Sequence, residues 1–152
     1  MKPYGYSIFC DDIRGEAGGK LSFIGCYNAA LYVSPTFPII LPKFCVHMHI
    51  FSPATHPYVS VMARCYIPGQ STPIADEPID VPSLSDQQAL LLNLPKNNGV
   101  PPYIVVAASL VFAPLELSEP GIINVRALIN EGPEELHLGS LTVAEARGPG
   151  RL

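Results

Sequence analysis

Lys43-Phe44-Cys45-Val46-His47-Met48-His49-Ile50-Phe51 is the stretch from which the fold is read. Phe44, Val46, Met48 and Ile50 share one parity, and Cys45, His47 and His49 share the other. An apolar residue at every second position marks a strand with one buried face, because successive side chains leave a pleated backbone on opposite sides. The run 58–67 repeats the pattern, with Val59, Val61, Ala63, Cys65 and Ile67 set against Tyr58, Ser60, Met62, Arg64 and Tyr66. Between them lies Ser52-Pro53-Ala54-Thr55-His56-Pro57, rich in turn formers, so the two runs are expected to pair antiparallel.

Residues 121–130 alternate more cleanly, with Ile123, Val125, Ala127 and Ile129 inward and Asn124, Arg126 and Asn130 outward. Asn130-Glu131-Gly132-Pro133 then reverses the chain into a last strand, 134–144. That strand changes phase: Leu136 and Leu138 are even, Leu141 and Val143 odd. One extra residue keeps all four on one face, which predicts a bulge at Gly139-Ser140. At the front, 4–11 and 20–27 read as a hairpin, and 29–34 as an extended piece stopping at Ser34-Pro35. Residues 103–112 are apolar on both parities, the pattern of a central strand under a covering element, and Pro114 closes them.

Seven or eight strands without a long helix predict an all-β chain: a single-domain antiparallel β-sandwich, immunoglobulin-like, with a β-barrel as second choice. The domain spans 1–146, with 81–102 as a proline-rich excursion and 147–152 as a flexible tail. Within the excursion, Ser85-x-x-Gln88 reads as a capping box for a short helix through Leu92, or Leu90–Leu94 as an edge strand.

Composition bounds the function. Of 152 residues, 48% are apolar and 14% charged, the reverse of the balance that keeps a chain disordered. A net charge of −4 with only nine Lys and Arg provides no basic footprint, so neither nucleic acid nor a membrane is an expected partner. Met1-Lys2-Pro3-Tyr4-Gly5-Tyr6 lacks the apolar core of a secretory leader, and no apolar run approaches a membrane span. Cys10, Cys26, Cys45 and Cys65 are widely spaced, without a C-x-x-C pair, and are expected to be reduced, buried small hydrophobes. The expected location is the cytoplasm.

No complete catalytic constellation is present. Gly15-Glu16-Ala17-Gly18-Gly19-Lys20-Leu21 has the wrong glycine spacing for a phosphate loop, and neither Ser/Thr nor a helix follows its lysine. Asp11, Asp12 and Glu16 are candidate Ca²⁺ ligands at a strand end, set against turn capping and pairing with Arg14 or Lys20. His47-x-His49 projects two imidazoles from one strand face beside Cys45, a candidate transition-metal site, set against an ordinary covered face. Tyr58, Met62 and Tyr66 share the outward parity of their run and form a candidate contact patch.

Tyr6-Ser7-Ile8-Phe9-Cys10-Asp11-Asp12-Ile13-Arg14, followed by Gly19-Lys20-Leu21-Ser22-Phe23-Ile24-Gly25-Cys26-Tyr27, resembles the opening of a family of uncharacterised bacterial proteins, a domain of unknown function with a YxxFCDDIR…GGKxSxIGxY stretch. The similarity continues in 37–43, 110–117 with Gly121, and 138–143. The resemblance implies a bacterial origin and a compact β-rich domain; it brings no reaction, ligand or catalytic residue.

Together these features predict a non-catalytic β-sandwich module, without cofactor, that acts by binding a protein partner or by homo-oligomerisation. The alternative is a metal-binding protein or metal-dependent enzyme built on His47, His49 and Cys45, or on Ca²⁺ at Asp11, Asp12 and Glu16.

Overall fold

The computed structural model describes residues 1–33, 36–95, 99 and 102–146. In chain order these form β1 (Tyr4–Gly15), β2 (Leu21–Cys26), β3 (Ala30–Val33), β4 (Ile39–Leu41), β5 (Phe44–Pro53), β6 (Val61–Tyr66), β7 (Ala75–Ile79), α1 (Leu84–Leu92), β8 (Tyr103–Phe112), β9 (Leu115–Leu117), β10 (Gly121–Ile129) and β11 (Leu136–Glu145). A four-stranded sheet runs β2-β1-β5-β8, a five-stranded sheet runs β3-β11-β10-β6-β7, and β4 pairs with β9. Among the described residues these sheets form an all-β sandwich-like fold and close into no barrel. Pairing is antiparallel throughout, except that β3 runs parallel to β11. The eleven strands among the described residues exceed the seven or eight expected because segments such as β4 and β9, three residues each, are too short to show a period.

The alternation builds the core as anticipated. Phe44, Val46, Met48 and Ile50 are fully buried and join Phe9, Ile104, Val106 and Leu110 in one cluster with Val61, Ala63, Ile123, Val125, Leu141 and Val143 of the other sheet. Each such aliphatic or aromatic side chain contributes about 1.5–3 kcal/mol on burial. Gly5 brings β1 close: a Cβ there would stand 2.5 Å from both the His49 carbonyl oxygen and Leu138 Cδ2. The phase change in β11 is resolved by a bulge, displaced by one residue from the expected Gly139-Ser140. Val125 pairs with Gly139 and Arg126 with His137, which leaves Leu138 as the extra residue and puts Leu138, Leu141 and Val143 all inside. Gly139 takes φ +144°, a conformation that side chains with a Cβ rarely adopt.

Several expectations are corrected. β5 and β6 do not pair; residues 52–57 carry the chain from one sheet to the other, and β5 lies between β1 and β8. A proline-containing link of that length serves a sheet crossing as well as a hairpin. Residues 103–112 are not a covered central strand. β8 is the edge of its sheet, and its outward side chains Val105 and Val111 stay 47% and 55% exposed. The helix is capped by Ser83, not Ser85: its hydroxyl accepts from the Asp86 amide at 3.1 Å. All four cysteines are free, but only Cys10, Cys45 and Cys65 are buried; Cys26, on the edge strand β2, is exposed. The expected tail 147–152 and the stop at Ser34-Pro35 lie outside the described residues. Among the described residues, no helix is long and apolar enough to cross a membrane.

Candidate functional site

Neither candidate metal site gathers a set of ligands among the described residues. His47 and His49 do project from one face of β5, with ring centroids 4.8 Å apart and nearly perpendicular planes. The Phe23 ring stands 5.2 Å from His47, whose Nδ1 meets the Ser109 hydroxyl at 2.7 Å, and the imidazole is only 4% exposed. Burial, reinforced by His49, holds the His47 imidazole below its ordinary pKa, which favours its neutral form. Cys45 on the same parity turns its thiol to the Asp11 carbonyl at 3.7 Å, and burial raises its pKa. At the strand end, Asp11 accepts from the Tyr27 hydroxyl at 2.5 Å and Asp12 pairs with Lys43 at 2.6 Å. The Lys43 hydrogen bond holds Asp12 below the usual carboxylate range. Glu16 lies at the exposed hairpin tip and makes neither of these bonds. Among the described residues, no three His, Cys, Asp or Glu side chains are grouped so as to hold a metal ion.

The contact patch at Tyr58, Met62 and Tyr66 is not a surface. Tyr58 is 1% exposed, because the regular strand begins only at Val61 and the preceding residues point the other way: Val59 is the exposed one. The Tyr58 hydroxyl donates to the Ile50 carbonyl at 2.8 Å and lies 3.2 Å from that of Ile104, tying β5 to β8. Its backbone is clasped by Gln87, whose side chain accepts from the Tyr58 amide at 2.9 Å and donates to the Tyr58 carbonyl at 2.8 Å. Tyr66 is occupied in a polar cluster: its hydroxyl donates to Glu135 at 2.8 Å, and the Arg126 guanidinium sits 5.1 Å from its ring centre. Met62 remains half-buried beside them.

What the fold assembles instead is a file of rings on the outer face of the four-stranded sheet. Tyr4 stacks on its cross-strand partner Phe51 at 4.7 Å with planes 4° apart, and Tyr6 stacks on its partner His49 at 5.1 Å and 12°. Tyr103 meets Tyr4 edge-on at 5.4 Å, and Phe51 lies 6.1 Å from Tyr6. Through His49, His47 and Phe23 the file crosses all four strands of the sheet. Directly opposed residues stand closer across an antiparallel ladder than diagonal neighbours, near enough for rings to stack. Tyr4 and Tyr6 remain 50% and 45% exposed, and Val105 and Val111 extend the apolar surface along β8. None of the outward positions of β1 from 4 to 10, of β5 from 45 to 51 or of β8 from 103 to 111 carries a charge. His49 Nδ1 is buried there without a hydrogen-bond partner among the described residues.

The ring file is not legible in the sequence because its members come from four separate segments. One signal was present: Tyr4, Tyr6 and Ile8 share a parity opposite to Phe9, so the outward face of β1 is itself apolar. No family model matches the chain, and neither a curated protein nor a solved structure matches it.

Proposed function

We propose that this protein is a non-catalytic β-sandwich module that works by binding a protein surface, on a partner or a second copy, through the outer face of its four-stranded sheet. The observation that carries the reading is the uncharged, partly exposed face of stacked rings spanning Tyr103, Tyr4, Phe51, Tyr6 and His49. Protein interfaces are enriched in Tyr, Phe and other aromatics and depleted of Lys, Glu and Asp at their centres. Rings already held by their cross-strand partners lose little rotamer freedom on docking, so more of the gain from desolvation survives as affinity. Among the described residues the His47–Ser109 pair has no carboxylate hydrogen-bonded to the imidazole to complete a triad, and the Cys45 thiol is tied to the Asp11 carbonyl with its pKa raised by burial.

A photo-crosslinking side chain placed at Tyr6 or Val105 tests this directly in extract of the native host. Both positions are expected to yield discrete protein adducts, while Thr142, exposed on the other sheet, yields none. Val105→Asp should abolish the adducts formed from position 6 with an unchanged circular dichroism spectrum. Adducts of equal yield from all three positions, or none from 6 and 105, would show that this face is not a docking surface.

A further inference from the structure

Cys26, Cys10 and Cys45 form a row across three neighbouring strands: Cys10 is the Cα partner of Cys26 on β2 and of Cys45 on β5. The two pairings are not equivalent. The Tyr27 amide donates to the Phe9 carbonyl at 2.9 Å, one residue outside the Cys10–Cys26 pair on each strand. That makes Cys10 and Cys26 a non-hydrogen-bonded pair, the type whose Cα atoms lie about 4.5 Å apart and whose side chains are closest. The spacing falls within the range that disulfides span, about 4.4–6.8 Å between Cα atoms. By the same alternation Cys10 directs its amide and carbonyl towards β5, so its pair with Cys45 is the wider kind. Cys45 is also engaged, its thiol directed at the Asp11 carbonyl. Access differs as sharply: Cys26 is exposed, whereas Cys10 is fully buried beside it.

We propose that Cys26 and Cys10 form a thiol–disulfide exchange site whose substrate is a low-molecular-weight disulfide. The Cys26 thiolate attacks one sulfur of the small disulfide, whose S–S bond breaks and releases the first thiolate, leaving a mixed disulfide on Cys26. Cys10 then gives up its proton and attacks Cys26 Sγ; the second small thiolate leaves and the Cys10–Cys26 bond forms. Two protein thiols are oxidised, the small disulfide is reduced to two thiols, and the two protons end on those thiols. The order follows from access, since only Cys26 meets solvent, and the second step is intramolecular, so it needs no opening of the core. Burial, with Cys45, Cys26 and Asp11 adding to it, pushes the Cys10 thiol up to about 11, which disfavours it as the entry point; its attack on Cys26 rests on the adjacency of the two residues across the ladder. The bridge would staple the root of the β1–β2 hairpin, at the last residue where β1 still pairs with β5. A bond with one sulfur open to solvent belongs to the reducible, regulatory class of disulfides.

The test uses the full chain, oxidised glutathione as probe, and intact mass with non-reducing peptide mapping. Wild type is expected to end as an intrachain disulfide joining the peptides that hold Cys10 and Cys26, cleared by reduced glutathione. Cys10→Ala should stop at the mixed disulfide on Cys26, and Cys26→Ala should leave Cys10 unmodified. Cys45→Ala should form the Cys10–Cys26 bond as wild type does, and this arm decides the matter even if loss of buried Cys10 unfolds the chain. A stable mixed disulfide on wild-type Cys26, a bond mapping to Cys10–Cys45, or no reaction of folded protein would each overturn the proposal.

Discussion

Replacing Gln87 with Met asks how far a buried amide, beside the apolar contact of Leu91 with the core, docks the only helix among the described residues. The helix Leu84–Leu92 buries a single residue, Gln87, at 1% exposure, while Leu84, Leu90 and Leu92 stand 51%, 52% and 86% exposed. The Gln87 side chain makes three hydrogen bonds: from the Tyr58 amide at 2.9 Å, to the Tyr58 carbonyl at 2.8 Å and to the Pro82 carbonyl at 2.7 Å. Methionine has nearly the same length and volume, so the substitution leaves the cavity filled and removes only the polar partners. The Tyr58 amide and carbonyl are then buried without partners, and each orphaned group costs about 1–3 kcal/mol. A loss of about 2–5 kcal/mol is therefore expected, a large share of the usual 5–15 kcal/mol of a domain. Urea unfolding should show a lowered midpoint at unchanged slope, and hydrogen exchange should rise along 84–92 before the β5 and β10 amides respond. A change below about 0.5 kcal/mol, within the range of ordinary surface substitutions, would refute the view that this amide holds the helix to the sandwich.

Gly139→Val should destabilise by about 1–3 kcal/mol through backbone strain at φ +144°, whereas Ser140→Val, exposed and next in sequence, should change little; equal effects in thermal unfolding would contradict the strain argument. His47 titrates below its ordinary 6.5 in the fold, so the unfolded chain takes up the proton first as pH falls. Stability present above about 6.5 is then lost towards lower pH, and His47→Gln should flatten that part of the pH–stability curve; an unchanged slope would remove His47 as its source. Maleimide labelling of reduced native protein should be fast at Cys26 alone, with Cys10, Cys45 and Cys65 reacting only after denaturation, and rapid native labelling of any of those three would contradict their burial.

Period-two alternation was legible because burial imposes it residue by residue. Phe44 to Ile50, Ile123 to Ala127 and the Leu136/Leu138 and Leu141/Val143 pairs of the last strand could face one core in only one way, and even the bulge followed from their change of parity. Parity, however, says nothing about which strand lies alongside. Whether 52–57 closes a hairpin or crosses between sheets depends on which strands take the two places beside β6, and those are held by β10 and β7. The inward turn of Tyr58 likewise depends on where β6 begins, three residues later than the alternation suggested, and on an amide from a distant helix meeting its backbone. The ring file and the Cys26–Cys10–Cys45 row are properties of register alone: β1 places Tyr4, Tyr6 and Cys10 opposite Phe51, His49 and Cys45. Local chemistry thus chose the strands and their inner faces, because burial acts on each side chain separately. Only the tertiary structure chose neighbours, and with them every candidate site, because register is set by the packing of all strands at once.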